Sequence, residues 1–228
     1  MKALIAISVS RQWTETDFLC QMGTWRLPVE WQVKFGWFKQ FTAEERHNVA
    51  ALEALYNYDR LIFMDTDQVY PPDYVEMMLE HKEPVVTGLN VARYHPFDLT
   101  IYRHVDDKSI EGIEYPFFET MDMPAERISE CDFAGTGAMS IDPEVFKELR
   151  EPYFKDIHAK DGALRLLCDD FYFCWQLHKK GIKVTVDRSI VVKHNFTMSV
   201  SPYNRTEVKR AWEKINTGHG YAKDGKQP

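Results

Sequence analysis

No apolar run among the 228 residues approaches the roughly 20 needed to cross a bilayer. Cysteine is scarce. Cys20, Cys131, Cys168 and Cys174 show no CxxC or CxxxC spacing, which argues against a zinc site, and a disulfide framework is implausible in a chain this long. Glycine is thin as well, at 11 residues. None of it forms a GxGxxG fingerprint or the Gly-Lys-Ser/Thr of a P-loop. There is no internal repeat, no low-complexity block and no Gly/Ser linker. The opening Met1-Lys2 and Ala3 to Ile7 is too short for the apolar core of a signal peptide and reads as a first strand, so a cytoplasmic location is expected. Without secretion, the sequons at Asn195 and Asn204 carry no meaning.

What is present suits one folded domain with a substantial core: 44% of residues are apolar and 14% aromatic. The net charge of −7 is unevenly spread. Residues 179–228 hold eleven Lys/Arg against four Asp/Glu, and the remainder holds 17 against 31. A basic end on an acidic body suits an anionic partner such as a nucleotide diphosphate, a lipid phosphate or nucleic acid. A solvated, lysine-rich C-terminal helix explains it equally well. The expected division is a catalytic domain over 1–200 and a basic helix with a loose tail over 201–228.

Hydrophobic patterning predicts an α/β fold with a mainly parallel sheet. Ala3 to Val9 is a continuous apolar strand of the kind buried on both faces. Arg11 to Gly36 is ambiguous, although Glu30 to Trp37 alternates as a second strand would. Thr42 and Glu45 form a capping box for a helix whose apolar face is Val49, Leu52 and Leu55-Tyr56. A strand over 60–64 runs into Asp65-Thr66-Asp67. Pro71-Pro72-Asp73 opens a helix from Tyr74 to Glu80, and Val85 to Leu89 is another strand. Short strands are expected at 99–103, 131–133 and 138–141, and a helix from Asp142 to Leu149. A longer helix spans about 170–180 with Gly181 at its C′ position. Strands at 183–186 and 190–192 lead to His194, and Ser201-Pro202 caps a last helix to about Ile215.

Four constellations carry chemistry. In extended backbone, Asp65 and Asp67 project to the same side at a strand end, where two hard oxygen donors can hold Mg²⁺ or Mn²⁺ against a diphosphate. Capping aspartates are the plainer reading. An EF-hand is excluded, because Val69 and Tyr70 stand where an acidic ligand and a glycine are required. Asp169 and Asp170 open a helix, where a carboxylate can serve as a general base or merely cap the end. His194 follows a strand and is either a metal ligand beside carboxylates or a satisfied structural residue. Gly135-Thr136-Gly137 permits close backbone approach to a ligand or a neighbouring strand.

Asp65-Thr66-Asp67, Gly135-Thr136-Gly137 ahead of Asp142-Pro143, Asp169-Asp170-Phe171 and His194, in that order across about 3–195, resemble the GT-A-fold glycosyltransferases related to family 2. The resemblance implies a Rossmann-like, mainly parallel sheet flanked by helices, with a smaller mixed second sheet. It also implies Mn²⁺ or Mg²⁺, a nucleotide-diphosphate sugar as donor, and an acceptor hydroxyl on a saccharide, lipid-linked sugar, protein or modified nucleic acid. By that likeness Asp65, Asp67 and His194 hold the metal. Asp170 is the base of an inverting enzyme, with Asp169 in the place of a glutamate. Ser8, Ser10, Asn48, Asp65, Arg93, Gly135 and Gly137 line the donor site. His47 stands where the family's arginine is usual, with Arg46 one place earlier. Two rival readings fit the sequence less well. A sugar-nucleotide pyrophosphorylase needs a glycine- and arginine-rich loop after strand one, and Ser8 to Trp13 contains no glycine. A non-catalytic nucleotide-sugar-binding module would have no need to keep every acidic position.

Overall fold

The computed structural model describes residues 1–9, 16–92, 97–195, 199–200 and 205–206. Ser10, Trp13, Arg93 and, apart from Arg205 and Thr206, the expected C-terminal helix lie outside them. In chain order the first half holds β1 (Lys2–Ser8), α1 (Thr16–Met22), β2 (Gln32–Phe38), α2 (Ala43–Asn57), β3 (Arg60–Asp65), β4 (Gln68–Val69), α3 (Tyr74–Glu80) and β5 (Val85–Leu89). There follow β6 (Ile101–Ile110), β7 (Ile113–Thr120), β8 (Ile128–Cys131), β9 (Phe133–Ala134) and β10 (Met139–Ile141). The chain continues through β11 (Ile157–His158), β12 (Arg165–Leu167), α4 (Asp169–Lys179), β13 (Val184–Val191), β14 (Lys193–Asn195) and β15 (Ser199–Val200).

The central sheet has seven strands in the order β2-β1-β3-β10-β5-β13-β8. Five of these run the same way, while β10 is antiparallel to both of its neighbours and β8 is antiparallel to β13. The expectation of a mainly parallel sheet therefore meets a mixed one with two reversed strands. β1 shows why its sequence is continuously apolar. Leu4 and Ala6 pack into one core, and Ala3, Ile5 and Ile7 into another on the opposite face. A strand covered on both sides has no polar face to alternate with.

Helix α2 begins as its sequence predicts: Glu45 N–H donates to the Thr42 side chain, and Thr42 N–H to the Glu45 carboxylate. Its buried face is different from the one expected. Arg46, His47, Ala50, Ala51 and Ala54 face inward, whereas Val49 and Tyr56 are 41% and 77% exposed. Three alanines let the helix lie close to the sheet, which leaves the larger apolar residues at its margin with Leu52 and Leu55 half-buried.

Other expectations shift in extent. The strand expected at 99–103 is the start of the ten-residue β6, which pairs with β7 as a hairpin. The expected helix after Asp142 is a 3-10 turn over Pro143–Glu148, capped by the Asp142 side chain accepting from Glu144 N–H. The two strands expected at 183–186 and 190–192 are the single β13, with an irregularity between Asp187 and Val191. Helix α4 ends as expected, with Gly181 at φ +70° donating to the His178 carbonyl. Two three-stranded sheets, β7-β6-β9 and β15-β14-β4, flank the central one. No helix among the described residues is long and apolar enough to cross a membrane.

Candidate active site

Strand order decides what meets at the edge where ligands bind in open α/β sheets. Ser8 ends β1 and pairs in register with Asp65 at the end of β3. Asn90 and Val91 follow β5, and β13 leads through Val192 to His194. Because β10 runs in reverse, its beginning lies at this edge too, with Gly135-Thr136-Gly137 just ahead of it. The N-terminus of α4 brings Asp169 and Asp170.

The glycines set the spacing. A Cβ on Gly137 would collide with Gln68 Nε2 and would stand 2.5 Å from Asp65 Oδ2. A Cβ on Gly135 would lie 3.7 Å from Asp170 Oδ2 and 3.8 Å from Thr100. One short turn thus has Asp65 against one end and Asp170 against the other. Tyr70 braces it: its hydroxyl accepts from Asp65 N–H at 2.7 Å and donates to the Gly137 carbonyl at 2.6 Å.

Charge is concentrated here. Burial, then the neighbouring Asp67 carboxylate, push Asp65 up to about 7. Burial, then the charge of Asp169, push Asp170 up to about 6. Both nevertheless keep an edge open to solvent. Asp170 also accepts from Phe171 N–H at 2.9 Å, a first-turn amide of α4. Asp169 is buried and receives His47 Nδ1 at 2.6 Å. Burial by itself would lower His47, but the Asp169 hydrogen bond and charge, with Asp65 and Asp170 beyond, carry it above its usual value. Burial would raise Asp169, and its bond to His47 outweighs that and holds it low. The two make a buried ion pair.

The expected metal ligands are partly gathered. His194 Nε2 lies 3.9 Å from Asp67 Oδ1, and Asn195 N–H donates to the Asp67 carbonyl. His194 Nδ1 contacts the Val91 carbonyl at 2.5 Å. That contact takes the Nδ1 proton and turns Nε2 towards the site, the orientation typical of a metal-bound imidazole. Asp65 faces Gly137 instead. Among the described residues no three His, Cys, Asp or Glu side chains stand close enough to hold a metal by themselves. The donor types, carboxylate oxygen and imidazole nitrogen with no thiolate, fit Mn²⁺ or Mg²⁺ completed by phosphate oxygens.

Other expected residues are placed differently. Asn48 spends its amide on backbone: it donates to the Glu44 and Phe154 carbonyls and accepts from the N–H groups of Tyr153 and Phe154. It also lines a groove of about 730 Å³ on α2 that includes none of Asp65, Asp67, Asp170 or His194. Arg46, one residue earlier than the family's position, is buried with Nε donating to Ser8 Oγ at 2.8 Å. Sequence reasoning missed Gln68 and Tyr70 as members of the site, and it noted His47 only as a departure from an arginine. Their one visible signal was nearness in the chain to residues already singled out.

The class this architecture defines is an α/β protein of GT-A-like fold, with a seven-stranded mixed sheet flanked by helices and small sheets. Among solved structures it shares its fold with A197 from STIV, at 19% identity and a TM-score of 0.55, over 89% of this chain and 91% of that one. It is also similar to S. aureus TarS 1-349, crystallised in complex with UDP and with UDP-GlcNAc. These matches have identities of 14% and 12%, a TM-score of 0.45 each, and cover 82% and 81% of this chain. The chain spans 57% and 55% of those TarS chains. At such identities the likeness is one of fold. No protein-family model matches the sequence, and no curated protein matches it.

Proposed function

We propose that this protein is a glycosyltransferase that moves a sugar from a nucleotide-diphosphate sugar to an acceptor hydroxyl with inversion, using Asp170 as base. The observation that carries this reading is the Gly135–Gly137 turn. It sets Asp170 and Asp65 at its two ends, on the strand-end edge, near enough for each charge to act on the other. A base is most effective when its pKa lies near the working pH, and Asp170 at about 6 meets that condition.

The chain's own groups divide the work. Asp170 accepts the proton from the acceptor hydroxyl while that oxygen attacks the anomeric carbon, and the bond from that carbon to the diphosphate breaks with its electron pair leaving on phosphate oxygen. The His47–Asp169 ion pair fixes the first turn of α4, and with it the Asp170 carboxylate. Ser8, held by Arg46, lies beside Asp65 where the donor's nucleotide enters; Ser10 and Arg93 are assigned to the same donor site. A divalent cation would be held by Asp67 and His194, with Asp65, which faces Gly137, assigned to the same site; it would neutralise the negative charge that builds on the leaving diphosphate.

The test is release of nucleoside diphosphate from a panel of nucleotide sugars, with Mn²⁺ present or removed by EDTA. Cation-dependent turnover or hydrolysis of at least one donor is expected. Binding of a donor with no turnover under any condition would point to a nucleotide-sugar-binding module.

A further inference from the structure

Gln68 is a polar residue only 1% exposed, one position beyond the Asp65-Thr66-Asp67 segment. Pairing of β4 with β14 sets it directly opposite His194. Its Nε2 lies 3.2 Å from His194 Nε2, and its Oε1 lies 3.0 Å from the Tyr70 hydroxyl. That Nε2 packs over Gly137 so closely that no Cβ would fit, with Asp65 Oδ2 over the same glycine. The amide's orientation follows from the imidazole. Nδ1 donates to Val91, so a neutral ring can only accept at Nε2, and the group facing it must be the NH₂.

We infer that Gln68 is a gate on the cation site: its amide nitrogen holds the His194 lone pair that a divalent cation beside Asp67 would take, and the cation enters by displacing it. One lone pair serves either an N–H or a metal. With the amide in place, His194 and Asp67 stay 3.9 Å apart with Gln68 bonded to the imidazole. Once the amide swings away, imidazole nitrogen and carboxylate oxygen face one position together. Gln68 acts through the His194 imidazole, and so as a positioning residue. The inference rests on the proposed transfer reaction for the meaning of the site, but not for its test.

The test is Mn²⁺ binding to the full chain, read as loss of the free-ion signal in electron paramagnetic resonance, with no sugar donor present. Wild type is compared with Gln68→Ala and with Gln68→Val, both too short to reach the position the amide occupies. Both variants should bind Mn²⁺ roughly three- to tenfold more tightly, the net value of one neutral hydrogen bond, and adding His194→Ala should abolish the gain. Equal or weaker binding in the variants, or no binding by any form, overturns the gate. Should the variants fail to fold, the ¹⁵N resonance of His194 Nε2 in wild type must move on adding Zn²⁺, a diamagnetic cation that imidazole ligates readily, and an unmoved resonance at saturating Zn²⁺ refutes the proposal. Donor turnover beside a failed Mn²⁺ result would sink the gate alone. Tighter Mn²⁺ binding without turnover would sink the transfer reading alone.

Discussion

Asp65 holds a proton in the folded chain far more tightly than an ordinary aspartate, because burial and the Asp67 charge oppose its ionisation. A raised folded-state pKa has a definite sign in stability. The contribution is full below the unfolded value of 3.8 and is lost as pH climbs through about 7 for Asp65. Asp170 behaves alike, its contribution being lost as pH climbs through about 6. Asp65→Asn should therefore stabilise the protein at pH 8 by about 1–3 kcal/mol, an amount discounted for the solvent that reaches one edge of the carboxyl. In thermal melts that is roughly 2–10 °C at this chain length, and the gain should vanish near pH 4, while donor turnover is lost. An unchanged or lower melting temperature at pH 8 would contradict the assignment. The aspartates and His194 were singled out in the sequence by their order along the chain, since an Asp-x-Asp, an aspartate at a helix start and a lone histidine are each common by themselves. Gln68 and Tyr70 were not, since an amide and a phenol beside an acidic motif carry no sign of what they face across the fold. His47 was noticed only as a departure from an arginine. Its partner Asp169 lies 122 residues away, and no local pattern announces that pairing.

Among elements, the turn before β10 is the one on which the site's dimensions depend. Gly137→Ala places a methyl group against Gln68 Nε2 and Asp65 Oδ2, so it should reduce turnover at least tenfold and lower the melting temperature. Gly135→Ala meets its neighbours at 3.7 Å and beyond, an ordinary contact, so its activity should stay within a few-fold of wild type. Equal tolerance at both positions, measured as nucleoside diphosphate release, would mean the turn does not set the spacing. Elements with local signals were read well: α2 from its capping box, α3 and β5 from pattern, and the end of α4 from Gly181. The β6–β7 hairpin was not. Its two-residue turn is Glu111-Gly112, both at positive φ, where the usual Asn or Asp is replaced by a residue that rarely adopts that conformation. The buried face of α2 was misjudged because alanine weighs little in an apolar pattern, although its small size is what lets a helix approach a sheet.

At the scale of the whole molecule, the edge that carries the candidate site depends on a strand order that no single segment reveals. β3 and β5 are both short apolar strands with a helix between them, which reads as two neighbours. The chain instead inserts β10 between them, from about fifty residues further on, and runs it backwards. That insertion delivers the glycine turn to the edge where the forward strands end. The motifs and the α/β class were therefore visible from patterning, while their meeting point came from long-range pairing that periodicity does not encode. The central claim is that the edge so built transfers glycosyl groups with Asp170 as base. Its most direct test is the pH dependence of nucleoside diphosphate release with the best donor and acceptor, for wild type and Asp170→Asn. The wild-type rate should rise with pH and level off above about 6, as the carboxylate forms. Asp170→Asn should lose about 10²- to 10⁴-fold at every pH while still binding the nucleotide. Transfer by Asp170→Asn at the wild-type rate would contradict the account.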